Sequence, residues 1–465
     1  MKKTFMHKCA ILFLSMLLPV VAIAQGITGA WTGILDAGGT KLNIVFHINT
    51  DKTVTMDSPD QGAMGIPATV NCLADDTVSV EFPALRAQYS GKLSGSEIHG
   101  TFSQMGYTFP LNLKRGEVKL NRPQTPQPPF AYETREVSFE NNGIDQSTGK
   151  TTGSVRLAGT LTYPENFRKG MPVVLMVTGS GQQNRDEELM GHKPFLVIAD
   201  YLARHGIATL RYDDRGVGKS TGDASAVIVR SNMLDAQAGM EFLKKCGEFG
   251  KIGVLGHSEG GMIGYMLAAR GEADFVVSLA GPALPGDSLL MMQNRDLLTA
   301  AGLDEVNTSN YVAAMKRIFD FKKSGRTMKF AATPESLVPM LTSDIDLLPQ
   351  LRQNLIETVK QLDTPWLASY IKYDPSADVA KMTCPVMLIG GERDMQVNTE
   401  ANIKALRAHV PASIQPRSLF KSYPRLNHLF QPSESGLPLE YGKIETTISE
   451  EVLSDIAKWI NGLCR

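Results

Sequence analysis

The stretch Ile252-Gly253-Val254-Leu255-Gly256-His257-Ser258-Glu259-Gly260-Gly261-Met262-Ile263-Gly264-Tyr265-Met266-Leu267-Ala268-Ala269 decides the fold. Its short apolar run reads as a buried strand and its longer one as a buried helix. Gly256-His257-Ser258-Glu259-Gly260 must therefore turn the chain between them. Glycines at both ends of that pentapeptide allow a tight turn and a close approach of neighbouring elements, which leaves the Ser258 hydroxyl standing above a sheet edge. In a chain with 42 glycines the pattern also arises by chance, so the strand before it and the helix after it carry the inference.

A serine hydroxyl is a weak nucleophile near neutral pH and needs a base, which in turn needs an acid to fix its tautomer. With the order Ser, Asp, His, the acid belongs after a late strand. Val386 to Ile389 is such a strand, and Gly390-Gly391-Glu392-Arg393-Asp394 follows it. Asp394 is the expected acid; Glu392 is its local rival, and a solvated acid paired with Arg393 is the alternative. Only His409 and His428 follow Asp394. His409 ends an amphipathic helix, whereas His428 lies in Tyr423-Pro424-Arg425-Leu426-Asn427-His428-Leu429-Phe430, after a strand and beside apolar residues, and is the expected base. His257 is expected to pack structurally, because the turn aims its side chain away from that of Ser258.

Two backbone donors should face the developing oxyanion. One is the amide of Glu259. The other comes from Thr178-Gly179-Ser180-Gly181-Gln182-Gln183, after the strand Pro172 to Val177, with Ser180 preferred and Gly181 or Gln182 as alternatives. That loop lacks the Gly-Lys-Ser/Thr ending of a phosphate-binding loop. Asp213-Asp214-Arg215-Gly216-Val217-Gly218-Lys219-Ser220 lacks the first glycine of one and reads as a structural turn with an Arg-carboxylate pair.

Around these motifs the 465 residues divide into segments. Lys2, Lys3 and Lys8, the apolar run Ile11 to Ile23 and the small-x-small site Ala22-Ile23-Ala24 read as a signal peptide over 1–24, with a mature start at Gln25, export to the periplasm or beyond, and no stable membrane anchor. Alternating apolar runs separated by turn residues predict a small all-β domain over 25–120. Proline-rich residues 121–132 read as a linker. From 133 to 465, strands alternating with helices predict a parallel α/β sheet with its site at the carboxyl ends of the strands. About 285–381 is helical in pattern and predicts a cap in which Met291, Met292, Met315 and Met340 could line an acyl pocket or simply pack. Ser449 is a candidate cap for the last helix.

Losing the three leader lysines takes the formal charge from −1 to −4 with no basic run, which argues against a nucleic-acid partner. Cys72, Cys246, Cys384 and Cys464 are scattered, form no zinc pattern and leave disulfide pairing open.

The loop Thr178 to Gln183 with Asn184-Arg185-Asp186-Glu187, the turn Asp213 to Ser220, Gly256 to Gly261, Gly390 to Asp394 and Asn427-His428-Leu429-Phe430 together resemble the α/β-hydrolase family, in particular bacterial exported esterases grouped with serine aminopeptidase-like hydrolases. The resemblance spans about Glu133 to the C-terminus. It implies an α/β-hydrolase sheet with a helical cap, and a serine hydrolase that cleaves carboxylic esters of small molecules with Ser258, Asp394 and His428, without metal or organic cofactor. Thr178 stands where many relatives carry the histidine of a His-Gly oxyanion motif. By the same resemblance, the small β domain is an accessory module. A serine peptidase or aminopeptidase acting on small peptides or amides is the alternative. A third reading is glycan binding by the β domain through Trp31, Tyr89, Phe102 and Tyr107, which otherwise serve as core or interdomain packing.

Overall fold

The computed structural model describes residues 26–74, 76–118, 120–143, 154–326 and 333–464; the expected leader over 1–24 and the start at Gln25 lie outside them. The chain forms two units, Met1–Pro59 with Ala63–Val118, and Asp60–Gly62 with Lys119–Arg465.

The first unit is one antiparallel sheet of ten described strands between Gly29 and Arg115. Its first strand, Gly29–Ala37, pairs with Thr40–Ile48 on one side and with the last strand, Leu113–Arg115, on the other. Alternate residues turn inward, so Ile44, Phe46 and Ile48 bury against Trp31, Phe82 and Tyr89. The Trp31 indole donates to the Ile27 carbonyl at 2.7 Å and the Tyr89 hydroxyl to Leu111 at 3.1 Å, as buried polar tips require. Trp31, Tyr89 and Phe102 are thus sealed in the core, and of the four aromatics considered for sugar stacking only Tyr107 is exposed.

In the second unit, strands and helices follow in the order β1 (Glu133–Asn141), β2 (Val155–Tyr163), β3 (Val173–Val177), α1 (Pro194–Arg204), β4 (Ala208–Tyr212), α2 (Val229–Cys246), β5 (Ile252–His257), α3 (Glu259–Ala269), β6 (Val276–Leu279), α4 (Gly286–Ala300), α5 (Glu305–Lys323), α6 (Pro334–Leu341), α7 (Pro349–Gln361), α8 (Pro365–Tyr370), α9 (Ser376–Val379), β7 (Val386–Gly391), α10 (Thr399–His409), β8 (Leu419–Tyr423) and α11 (Glu450–Leu463). The sheet order is β1-β2-β4-β3-β5-β6-β7-β8. The β1–β2 hairpin joins antiparallel to β4, and every later pairing is parallel.

The continuous apolar strands are explained by cover on both faces. Val173, Leu175 and Val254 point to the layer of α2 and α3, while Val174, Met176 and Leu255 point to that of α1 and α11. Ser449 occupies the position before α11, but its hydroxyl caps nothing; its amide instead donates to Phe430. Residues 121–132 carry no helix or strand and are fastened to the second unit: Arg122 donates to the carbonyls of Met190 and Gly442, and Gln124 bonds the backbone of Thr447 and Ile448. Between β6 and β7 the described residues form only the helices α4 to α9. There Met315 is buried core, Met340 is exposed, and Met291 and Met292 line a groove of about 850 Å³ between α4 and α5 that includes neither Ser258, Asp394 nor His428. The described cysteines are all free. No described helix is long and apolar enough to cross a membrane.

Candidate active site

The β5–α3 turn folds as its sequence demands. A Cβ on Gly256 would lie 2.0 Å from the Gly260 carbonyl oxygen, and one on Gly260 the same distance from that of Val177, so neither position admits a side chain. Between them Ser258 adopts φ +51°, ψ −120°, a backbone state that a non-glycine residue holds only when its surroundings impose it. Its amide donates to Leu279 at 2.8 Å, pinning the turn to the end of β6. Ser258 is half-buried and opens the helix, where the first amides have no intrahelical acceptor; that of Glu259 is one of them.

Asp394 and His428 arrive from the ends of β7 and β8. The His428 Nδ1–H donates to Asp394 Oδ2 at 2.8 Å, with both side chains buried. A carboxylate only accepts, so this bond places a proton on Nδ1, and in the neutral imidazole Nε2 is then the nitrogen that can accept one. The amides of Gln396 and Val397 hold Asp394 Oδ1, each at 2.8 Å. Buried Asn427 accepts from the amides of Leu429 and Gln431 at 3.0 Å and so braces the turn that carries His428. The rivals stand elsewhere: Glu392 is exposed and receives a bond from Ser422, His409 caps its own helix at the surface, and Arg393 binds the Ser433 carbonyl rather than Asp394.

The loop after β3 lies against the serine. A Cβ on Gly179 would stand 3.3 Å from that of Ser258. The Gly179 amide is taken by Glu187 Oε1 at 2.7 Å, while Ser180, Gly181 and Gln182 line a cavity. Thr178 bonds Asp214 through its hydroxyl at 3.0 Å, and Asp214 also accepts the Gln183 amide at 3.0 Å, so the β4 turn ties down both ends of the β3 loop. The Asp213 to Ser220 turn carries Arg–carboxylate pairs as expected, but the partners are distant in sequence. Asp213 pairs with Arg185 at 2.8 Å, and Arg215 pairs with buried Asp235 through two 2.7 Å bonds.

His257 does more than pack. Its Nδ1 donates to Glu187 Oε1 at 2.9 Å and its Nε2 to the His428 carbonyl at 3.1 Å, with the two imidazole centroids 4.7 Å apart. Both partners are acceptors, so His257 carries both protons. Burial opposes that charge, yet Glu187 and the bond to His428 raise its pKa above the ordinary histidine value. Glu187 thus joins the oxyanion-side loop to the backbone of His428. The sequence signals Glu187 only as part of the motif Asn184 to Glu187, since nothing local pairs it with a histidine 70 positions later.

The cavity encloses about 320 Å³, with Asp214, Asn232 and Trp366 among its walls. Glu259 sits behind it, accepting from the Trp366 indole at 2.8 Å and the Asn232 amide at 3.2 Å. Burial pushes the Glu259 carboxyl up to about 7, against the pull of those two bonds. The same cause raises Asp214 to about 8, with Glu259 and Asp235 adding to it. Among the described residues no group of three or more His, Cys, Asp or Glu could hold a metal ion.

The strand order, the turn at Ser258 and the loops that meet above β3, β5, β7 and β8 define an α/β-hydrolase. A family model described as serine aminopeptidase, S33, matches residues 193–431, just over half of the chain, and the chain belongs to that family. Among curated proteins it is similar to the Esterase EstD of Thermotoga maritima, 27% identical over 308 residues; the match covers 65% of this chain and 65% of the length of that protein. Among solved structures it is similar to the Pyrococcus furiosus esterase Pf2001, at TM-score 0.40 and 16% identity over 71% of this chain and 91% of that one. It is also similar to Est1E of Butyrivibrio proteoclasticus, a structure with bound ferulic acid, at TM-score 0.38 and 18% identity over 66% and 94%.

Proposed function

We propose that this chain is an exported serine hydrolase of small carboxylic esters. Ser258 Oγ attacks the ester carbonyl carbon while His428 Nε2 takes its proton, and Asp394 holds the imidazolium that results. The amides of Glu259 and Ser180, with Gly181 or Gln182 as alternatives to the second, receive the negative oxygen. When the intermediate collapses, the alcohol departs with the proton from His428, leaving an acyl-Ser258 ester. Water then repeats the sequence in reverse, and the acid is released.

The observation that supports this most is the buried 2.8 Å bond from His428 to Asp394, the base and orienting acid that a nucleophilic serine needs, in a chain that holds Ser258 at φ +51° on the turn after β5. In this reading 133–465 is the catalytic domain, α4 to α9 form its cap, 1–24 directs export, and the first unit is an accessory domain. A second reading, an aminopeptidase, is favoured by the description of the family model. Rates on matched acyl esters and aminoacyl amides separate the two: the ester reading expects esters to be turned over far faster, and faster amide turnover reverses the choice.

A further inference from the structure

We infer that the cavity beside the oxyanion loop is an acyl pocket that selects short acyl groups carrying a hydrogen-bond donor, directed to Asp214. This rests on the ester-hydrolase reading above and adds the substrate class.

The cavity's side of the site follows from the sheet. Its walls come from the loops after β3 (Ser180 to Gln182) and β4 (Asp214), from α2 (Asn232) and from α8 (Trp366). Asp394 and His428 come from the ends of β7 and β8, and β5, which presents Ser258, lies between the two sets. The leaving group takes its proton from His428 and so departs on the β7–β8 side. The other substituent of the carbonyl carbon, the acyl chain, then points to the β3–β4 side of β5, the side on which the cavity lies, its lining including the Ser180 to Gln182 loop but neither Ser258, Asp394 nor His428.

The walls fix what that chain can be. Trp366 has its only side-chain donor committed to the Glu259 carboxyl, as Asn232 has one of its two amide N–H groups, so the indole offers a flat apolar face. Asp214 receives only the Thr178 hydroxyl and the Gln183 amide. Among the described residues no lysine or arginine pairs with it, because neighbouring Arg215 is held by Asp235. A carboxyl with spare acceptor positions on a small cavity is satisfied by a hydroxyl or an ammonium group. A plain alkyl chain strips its water and returns no bond, which disfavours that chain by on the order of ten-fold. A carboxyl raised by burial carries its proton at neutral pH and can also donate to a hydroxyl, whereas an ammonium group would draw it back to the ionised form.

The test compares three p-nitrophenyl esters with equal numbers of acyl heavy atoms: butyrate, 3-hydroxypropionate and 3-aminopropionate. The readout is the kcat/KM of each donor-bearing ester relative to butyrate in wild type, Asp214→Asn and Asp214→Ala. The inference expects a ratio of about ten for at least one donor-bearing ester in wild type. It expects that ratio to fall to about one in Asp214→Ala. In Asp214→Asn, retained preference for the hydroxyl ester identifies a hydroxyacyl substrate, and loss of preference for the amino ester identifies an aminoacyl one. Fluorophosphonate labelling checks that each variant is folded; should Asp214→Ala fail it, Asp214→Leu, of similar shape and without hydrogen-bonding atoms, takes its place with the same expected ratio of about one. A wild type that hydrolyses butyrate with no donor preference, or a preference unmoved in both variants, overturns the inference and leaves the ester-hydrolase reading standing. A wild type that hydrolyses none of the three overturns both.

Discussion

Replacing Glu259 by glutamine should make the protein more stable at alkaline pH, by an amount that the site's burial sets. Glu259 is almost fully buried and its carboxyl is pushed from 4.5 to about 7. Below pH 4.5 both folded and unfolded chains hold the proton, and the group contributes no pH dependence. Between 4.5 and 7 the unfolded chain ionises while the folded one does not, so stability falls as pH rises, and above 7 the loss is complete. At roughly 1.4 kcal/mol per pKa unit the full loss is about 3 kcal/mol, of which about 2.5 kcal/mol falls between pH 5 and pH 8. Glutamine keeps the shape and an acceptor for Trp366 but does not titrate. Urea denaturation followed by circular dichroism, run on both proteins at pH 5 and pH 8, measures the gap at each pH. The gap should grow in favour of Glu259→Gln by about 2.5 kcal/mol across that interval. A gap that does not change with pH would mean that Glu259 ionises as an exposed glutamate does, and that Trp366 and Asn232 do not close over it.

Three further outcomes follow from the same geometry. Asp394→Asn should lower kcat by on the order of 10³ to 10⁴-fold with little change in KM, because an amide cannot hold the Nδ1–H tautomer of His428; steady-state kinetics on a p-nitrophenyl ester reads it. Glu187→Gln removes the charge that holds His257 doubly protonated and loosens the link between Gly179 and the His428 backbone. It should cost about 10- to 100-fold in kcat with KM within a few-fold, and equal losses in both parameters would point to a general folding defect instead. Gly260→Ala puts a methyl 2.0 Å from the Val177 carbonyl and should destabilise the second unit by about 3 kcal/mol in urea, with loss of esterase activity; wild-type stability would show that the turn has slack.

What was legible in the sequence is what is local. The run Ile252 to Ala269 announces its strand, turn and helix because periodicity and glycine placement act within a few residues, and it folds as β5 and α3. Asp394 and His428 could be reached because each follows a recognisable strand, and the structure brings their side chains to 2.8 Å. What could not be read depends on pairing across the sheet. Glu187 with His257, Asp214 with Thr178, and Trp366 with Glu259 join residues tens of positions apart, and a single chain carries no local mark of them. The methionines illustrate the same gap. Helical spacing placed them on helices, but which way each helix face turns is settled by tertiary packing, and it is Trp366 rather than a methionine that lines the cavity beside the Ser180 to Gln182 loop. Aromatic content likewise said nothing of direction, and Trp31, Tyr89 and Phe102 turn inward.

The central claim is that Ser258 is the nucleophile. A fluorophosphonate probe, followed by peptide mass spectrometry, tests it most directly when wild type and Ser258→Ala are treated side by side. The account predicts a single phosphonylated residue, Ser258, in wild type, with neither label nor p-nitrophenyl ester turnover in a Ser258→Ala protein that unfolds as wild type does. Label on another residue, or ester turnover retained by Ser258→Ala, would contradict it.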